Sequence, residues 1–192
     1  MKLYIDPGTG SMLFAVLIGI IGAVAYVFKE WAVKLKFLLT GGKKADTNAE
    51  KIPIVIFSDD KRYWSVFKPI CEEMNSRGID VVYMTASKDD PAFDENLQHL
   101  DAQFIGEGNR AFSKLNFLNA TMLISTTPGL DVFQWKRSKN VDYYVHVLHA
   151  ASNTCGYHMF GIDYYDAVLI SGNHHERDIR ALEKIRNLPA KE

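Results

Sequence analysis

The sequence predicts an α/β protein: a Rossmann-like, doubly wound parallel sheet preceded by an N-terminal transmembrane helix. Three observations predict it. From Ile52 onward, short apolar runs rich in β-branched residues alternate with amphipathic stretches, the pattern of strands buried on both faces and separated by helices. Each apolar run ends in small polar residues suited to strand-to-helix turns. Ahead of these, residues 12–28 carry no charge. The chain has 192 residues, 47% of them hydrophobic and 23% charged, an ordinary globular balance. A formal charge of −1 leaves no electrostatic footprint for nucleic acid, and 12% aromatic residues argue against wholesale disorder. The two cysteines, Cys71 and Cys155, lie far apart and make no disulfide or metal framework.

Taken in order, residues 1–11 form an extracytoplasmic N-terminus. Its Asp6, Pro7, Gly8, Thr9 and Gly10 carry strong turn chemistry that stops the following helix. Residues 12–28 are the membrane helix, at about 17 residues the short end of what spans a bilayer. Lys29, Lys34, Lys36, Lys43, Lys44 and Lys51 outnumber the acids that follow the span. That excess predicts a single-pass protein of the cell membrane, N-terminus outside and soluble domain cytoplasmic, with membrane lipid as a partner. Ala23 and Ala25 also suit a cleaved signal peptide, but the lysines follow the apolar run instead of preceding it. A buried core helix fits less well, because the segment is apolar on all sides. Residues 29–51 are a juxtamembrane segment and linker. Leu35, Leu38 and Leu39 share a helical face there, Lys34 and Lys36 can reach the headgroups, and residues 40–51 are polar and helix-breaking.

Residues 52–192 form the Rossmann-like domain. Strands are expected over 52–57, 79–84, 102–105, 120–125, 143–148 and 167–170. Helices are expected over 64–77, 89–100, 109–118 and 174–186. Helix 64–77 puts Val66, Phe67, Ile70, Cys71 and Met74 on its inner face, with Cys71 a small buried hydrophobe. Gly78 is placed to end it. The stretch 89–100 carries the weakest helical periodicity.

Ligands of such sheets bind beyond the carboxyl ends of the strands. That rule selects Ser58, Asp59, Gly106, Gly108, Asn109, Thr127, Asn153 and Ser171 as substrate-binding candidates, with hydroxyls and backbone N–H groups able to hold an anion or a sugar. The same residue types also cap helices without binding anything. Gly106 to Ala111 fits G-x-G-x-x-G/A. It follows the third strand, however, and no acid ends the next strand to meet a ribose, so a tight turn is the better reading. No nucleotide cofactor and no metal is expected. His146 and His149 lie three residues apart on one strand and point to opposite faces. His149 ends the strand and can face the crevice as a general base; on its residues alone it reads more readily as structural. His146 reads as a packed core histidine. Asn173 is a plausible cap for the helix that His174, His175 and Glu176 open. There is no G-x-S-x-G elbow and no Walker loop.

The order and spacing of two segments carry a resemblance. Val147, Leu148, His149 and Ala150 resemble the strand-end histidine motif of the CDP-glycerol glycerophosphotransferases, the teichoic acid polymerase-like enzymes. Tyr165 to Ser171 followed by Glu176, Arg177, Asp178 and Ile179 resemble that family's next strand and helix. Leu148 and Ala150 depart from the family's usual Trp and Gly. The resemblance covers the domain from Ile52 onward and matches only the family's N-terminal half. It implies the first, acceptor-side half of a two-domain GT-B fold. It implies transfer of glycerol phosphate from CDP-glycerol to a polymer or lipid-linked acceptor hydroxyl, with His149 as the base. The resemblance implies that the missing second half, which a partner chain could supply, holds the CDP group. On this expectation the chain is inactive alone and a transferase only when completed. A non-catalytic membrane-anchored binding module and a GT-B glycosyltransferase using a nucleotide sugar are the alternatives.

Overall fold

The computed structural model of the chain describes residues 51–150 and 157–192. The expected membrane span, the juxtamembrane segment and Asn153 lie outside the described residues. Among the described residues, no helix is long and apolar enough to cross a membrane.

The domain is a parallel six-stranded sheet with helices, an α/β Rossmann-like fold. Its strands are β1 (Ile52–Ser58), β2 (Val81–Thr85), β3 (Leu100–Phe104), β4 (Asn119–Ser125), β5 (Asn140–Val147) and β6 (Ala167–Leu169). The helices are α1 (Trp64–Ser76), α2 (Asn109–Leu115) and α3 (Asn173–Arg186). In space the strands run β3-β2-β1-β4-β5-β6. The chain builds outward from β1 to β3, then returns to place β4 on the other side of β1. The order reverses there, so a crevice opens between β1 and β4 at the carboxyl edge.

Burial on both faces explains why the strands read as continuous apolar runs. On one face Val55, Phe57, Leu123 and Tyr144 pack with Ala111 and Leu115 of α2 and with Trp135. On the other, Ile56, Tyr83, Val145 and Val147 pack with Trp64, Phe67 and Cys71 of α1. Cys71 is buried, and that burial pushes its thiol up to about 12, so it stays a neutral thiol. A smaller cluster seats Ile179 of α3 against Leu148, Ile162 and Val168. Gly78 lies just past α1 with φ +67°, the left-handed position where a helix commonly ends.

Several expected boundaries move. Residues 89–100 are not an α-helix; they hold one 3-10 turn, Pro91–Asp94, and a second turn at residues 98–99 that leads into β3. The cause is Asp90, which is 2% exposed. One carboxylate oxygen accepts from the Ala92 N–H at 3.0 Å and the other from the Thr85 hydroxyl at 2.6 Å. Such side-chain capture of the backbone competes with helix formation. β3 begins at Leu100, ahead of the expected 102, and is an edge strand with Asp101, Gln103 and Phe104 exposed; a polar edge of this kind discourages pairing with other chains. The helix expected to reach residue 118 stops at Leu115, and β5 begins at Asn140.

Candidate functional site

Parallel register sets the carboxyl edge. Phe57 of β1 pairs with Ser125 of β4, and Ser125 pairs with His146 of β5. Two residues further on, Asp59, Thr127 and Leu148 therefore stand level, and His149 follows at once. The switch-point crevice thus has Asp59 on one side and Thr127 on the other, with His149 one strand beyond.

The turn from β1 into α1 is heavily bonded. The Ser58 hydroxyl donates to the Asp60 carbonyl at 2.8 Å. The Asp60 carboxylate accepts from the Arg62 N–H at 2.9 Å, and the Asp60 carbonyl from the Tyr63 N–H at 3.0 Å. The Lys61 N–H reaches the Ser87 hydroxyl at 3.0 Å. This 3-10 turn, Lys61–Tyr63, carries the Tyr63 ring to 4.7 Å from the His149 imidazole, centroid to centroid, at 57°.

Asp59 is open to solvent yet ringed by protein mass. That crowding raises its pKa, while Thr127, its own backbone N–H and His149 pull in the opposite direction. Solvent also reaches the carboxyl, so its oxygens are accessible to a ligand's hydrogen bonds. Thr127 Oγ1 lies near enough to favour the ionised form but lacks the geometry of a full hydrogen bond. Thr126 and Thr127 are 1% and 7% exposed, and neither hydroxyl has a hydrogen-bond partner among the described residues. Buried hydroxyls are usually satisfied, so these two stand out on the wall of the crevice. Their backbone is pinned: the Thr127 N–H donates to the Ser125 hydroxyl at 3.0 Å, and the Tyr165 hydroxyl to the Thr127 carbonyl at 2.6 Å. The Gly129 N–H reaches the Gly161 carbonyl at 2.7 Å, which ties this loop to the segment before β6.

His146 and His149 have opposite environments. His149 is exposed. His146 is fully buried, its Nε2 3.1 Å from the Tyr157 hydroxyl and its ring 4.8 Å from that of Tyr165. Burial pushes it down to about 3, with His149 a lesser contributor. It is a neutral imidazole at any physiological pH, and its Nδ1 has no hydrogen-bond partner among the described residues.

The other candidates are spread along the edge. Gly106, Gly108 and Asn109 form the turn from β3 into α2, at the far side of the sheet from β5. Gly106 has φ +105°, and a Cβ there would stand 2.9 Å from the Arg110 Cβ. That glycine is needed for the turn itself, and the turn does not meet Asp59 or His149. Ser171 follows β6, and its hydroxyl lies 3.2 Å from His175 Nδ1. The cap of α3 is Gly172, not Asn173, which is the first helical residue. Among the described residues no cluster of His, Cys, Asp or Glu could hold a metal ion.

The structure thus gathers Ser58, Asp59, Thr127 and His149, and leaves Gly106, Gly108, Asn109 and Ser171 further along the edge. It adds Tyr63, Thr126, Tyr157 and Tyr165. Tyr63 carried a usable signal, an aromatic residue just after an Asp-Asp turn at a strand end. The tyrosines of the segment before β6 carried none, because their approach depends on how that loop packs. Comparison with known proteins finds no family model, no curated protein and no solved structure that matches this chain.

Proposed function

We propose that this chain is the membrane-anchored, acceptor-side half of a glycerophosphotransferase. It would move glycerol phosphate from CDP-glycerol to an acceptor hydroxyl during synthesis of a cell-surface polymer. The observation that carries the reading is the placing of an exposed histidine beside a carboxylate and buried, unpartnered hydroxyls at the switch point.

The chemistry follows from those groups. A polyol or sugar acceptor binds with its hydroxyls against Asp59 and Thr127, which can accept and donate hydrogen bonds. His149 takes the proton of the attacking hydroxyl as its oxygen forms a bond to the donor phosphorus. The bond from phosphorus to the cytidylyl phosphate oxygen breaks, CMP leaves, and the proton passes from His149 to solvent. The negative charge of the transferring group needs cationic or N–H donors. Around this turn Lys61 is paired with Asp89, and Arg62 with Asp60, while Asp59 repels a neighbouring phosphate. The donor phosphates are therefore assigned to a facing second half of a GT-B arrangement, and the acceptor to this half. The lysine-flanked apolar segment 12–28 fits the same reading, because a lipid-linked acceptor is met at the membrane.

In the transferase assembled with its second half, His149→Ala should lower turnover of CDP-glycerol on the order of 10²–10⁴-fold with an unchanged melting temperature. Unchanged turnover would leave this domain a non-catalytic binding module. Faster turnover of a UDP-sugar than of CDP-glycerol would point to a glycosyltransferase of the same fold.

A further inference from the structure

His149 stands just beyond the ordered part of its strand. The last sheet bond before it runs from the Leu148 N–H to the Leu169 carbonyl at 3.1 Å. The imidazole is exposed and thus free to choose among rotamers unless a neighbour restricts it. Among the described residues, the ring packed beside it comes from another element and is tilted against it at 57°. Tyr63 ends the bonded turn after β1, is half-buried, and packs by its other atoms against the α1 face of the core. Its ring lies 4.7 Å from the imidazole, and the Arg62 guanidinium is 6.0 Å from the same ring. The bonds that hold Asp60, Arg62 and Tyr63 set the backbone from which this ring projects.

We propose that Tyr63 is the positioning residue of this site: its ring walls one side of the His149 imidazole and holds it toward the crevice that Asp59 and Thr127 line. The inference rests on His149 being the base. It assigns no proton transfer to the tyrosine hydroxyl; the contact is between rings, so phenylalanine should serve as well. A base must stand within hydrogen-bond reach of its proton, and an offset of about 1 Å costs on the order of 10²-fold in rate.

The test uses the full 192-residue chain in detergent, with carbon-labelled histidine followed by NMR. Tyr63→Leu keeps an apolar side chain in the core but removes the ring; Tyr63→Phe keeps the ring. The expected result is that Tyr63→Leu moves the ring signals of His149, leaves those of His99 and His158 in place, and that Tyr63→Phe moves none. In the assembled transferase, Tyr63→Leu should then lower kcat on the order of 10²-fold with KM within about twofold, and Tyr63→Phe should restore it. Unmoved His149 signals in Tyr63→Leu overturn the positioning role, even if His149→Ala abolishes transfer. Full transfer by His149→Ala overturns the base and with it any catalytic purpose for the contact, whatever the signals do.

Discussion

Two histidines on one strand meet opposite fates because one residue of strand is buried under a loop and the other lies past the sheet. His146 is enclosed by Tyr157 and Tyr165 and held neutral by burial. That neutrality has a sign in stability. Below about pH 6.5 the unfolded chain binds a proton at this position, while the folded chain refuses it until about pH 3. Stability is therefore lost as pH falls through that window, by at most about 1.4 kcal/mol per pH unit. His146→Gln should remove this slope. Between pH 6.5 and 5, where carboxylates contribute little, urea unfolding should show the native chain losing about 1–2 kcal/mol relative to the variant. Parallel curves for the two proteins would mean that His146 is protonated in the fold. Asp59 belongs to the same scale: crowding raises the pKa of a carboxyl that solvent reaches, so its ionisation does not stabilise the fold.

At the scale of elements, the decisive device is the side chain that intercepts a backbone. Asp90 turns the chain after β2 by binding the Thr85 hydroxyl and the Ala92 N–H. Asp60 turns it after β1 through the Arg62 and Tyr63 N–H groups. Asp90→Ala strips the acceptor from three buried donors, those of Tyr83, Thr85 and Ala92, and should cost about 1–3 kcal/mol, read as a lower denaturant midpoint at unchanged slope. A cost below about 0.5 kcal/mol would show that the turn holds itself. These interceptions also mark where the sequence was legible. Strands β1, β4 and β5 and helix α1 were readable because apolar period and turn residues agreed. The stretch 89–100 misled because one aspartate at the start outweighed a weak periodicity; its partner Thr85 lies five residues back, but residue types alone do not say that the two side chains meet.

At the scale of the whole molecule, parallel order and burial on two faces followed from the alternation of runs, but the sequence could not say which strand ends meet. The β1–β4 switch joins Asp59 to Thr127 and reaches His149, while the glycine turn after β3 is carried to the opposite edge. The β6 side of the sheet is finished by the last residues of the chain. The Val168 N–H donates to the Glu192 carbonyl at 2.9 Å and the Glu192 N–H to the Asp166 carbonyl at 3.2 Å, the pattern of a parallel neighbour. Glu183, 5% exposed, holds this segment by accepting from the Lys191 N–H at 2.8 Å and from Arg180 at 2.9 Å. Lys191 adds bonds to the Asp163 and Tyr165 carbonyls. Glu183→Ala should release the segment, speed hydrogen exchange at Val168 and lower stability by about 1–3 kcal/mol. Protection at Val168 that survives the change would place the anchor in Lys191 alone.

The hydroxyls of Thr126 and Thr127, enclosed without partners, put selection for a durable fold at odds with selection for a receptive one. Valine has nearly their shape and no unmet polar atom, so a lineage favoured only for persistence would drift toward it at both positions. On the proposed function, threonine at both positions trades some stability of the empty fold for hydroxyls that an acceptor can complete.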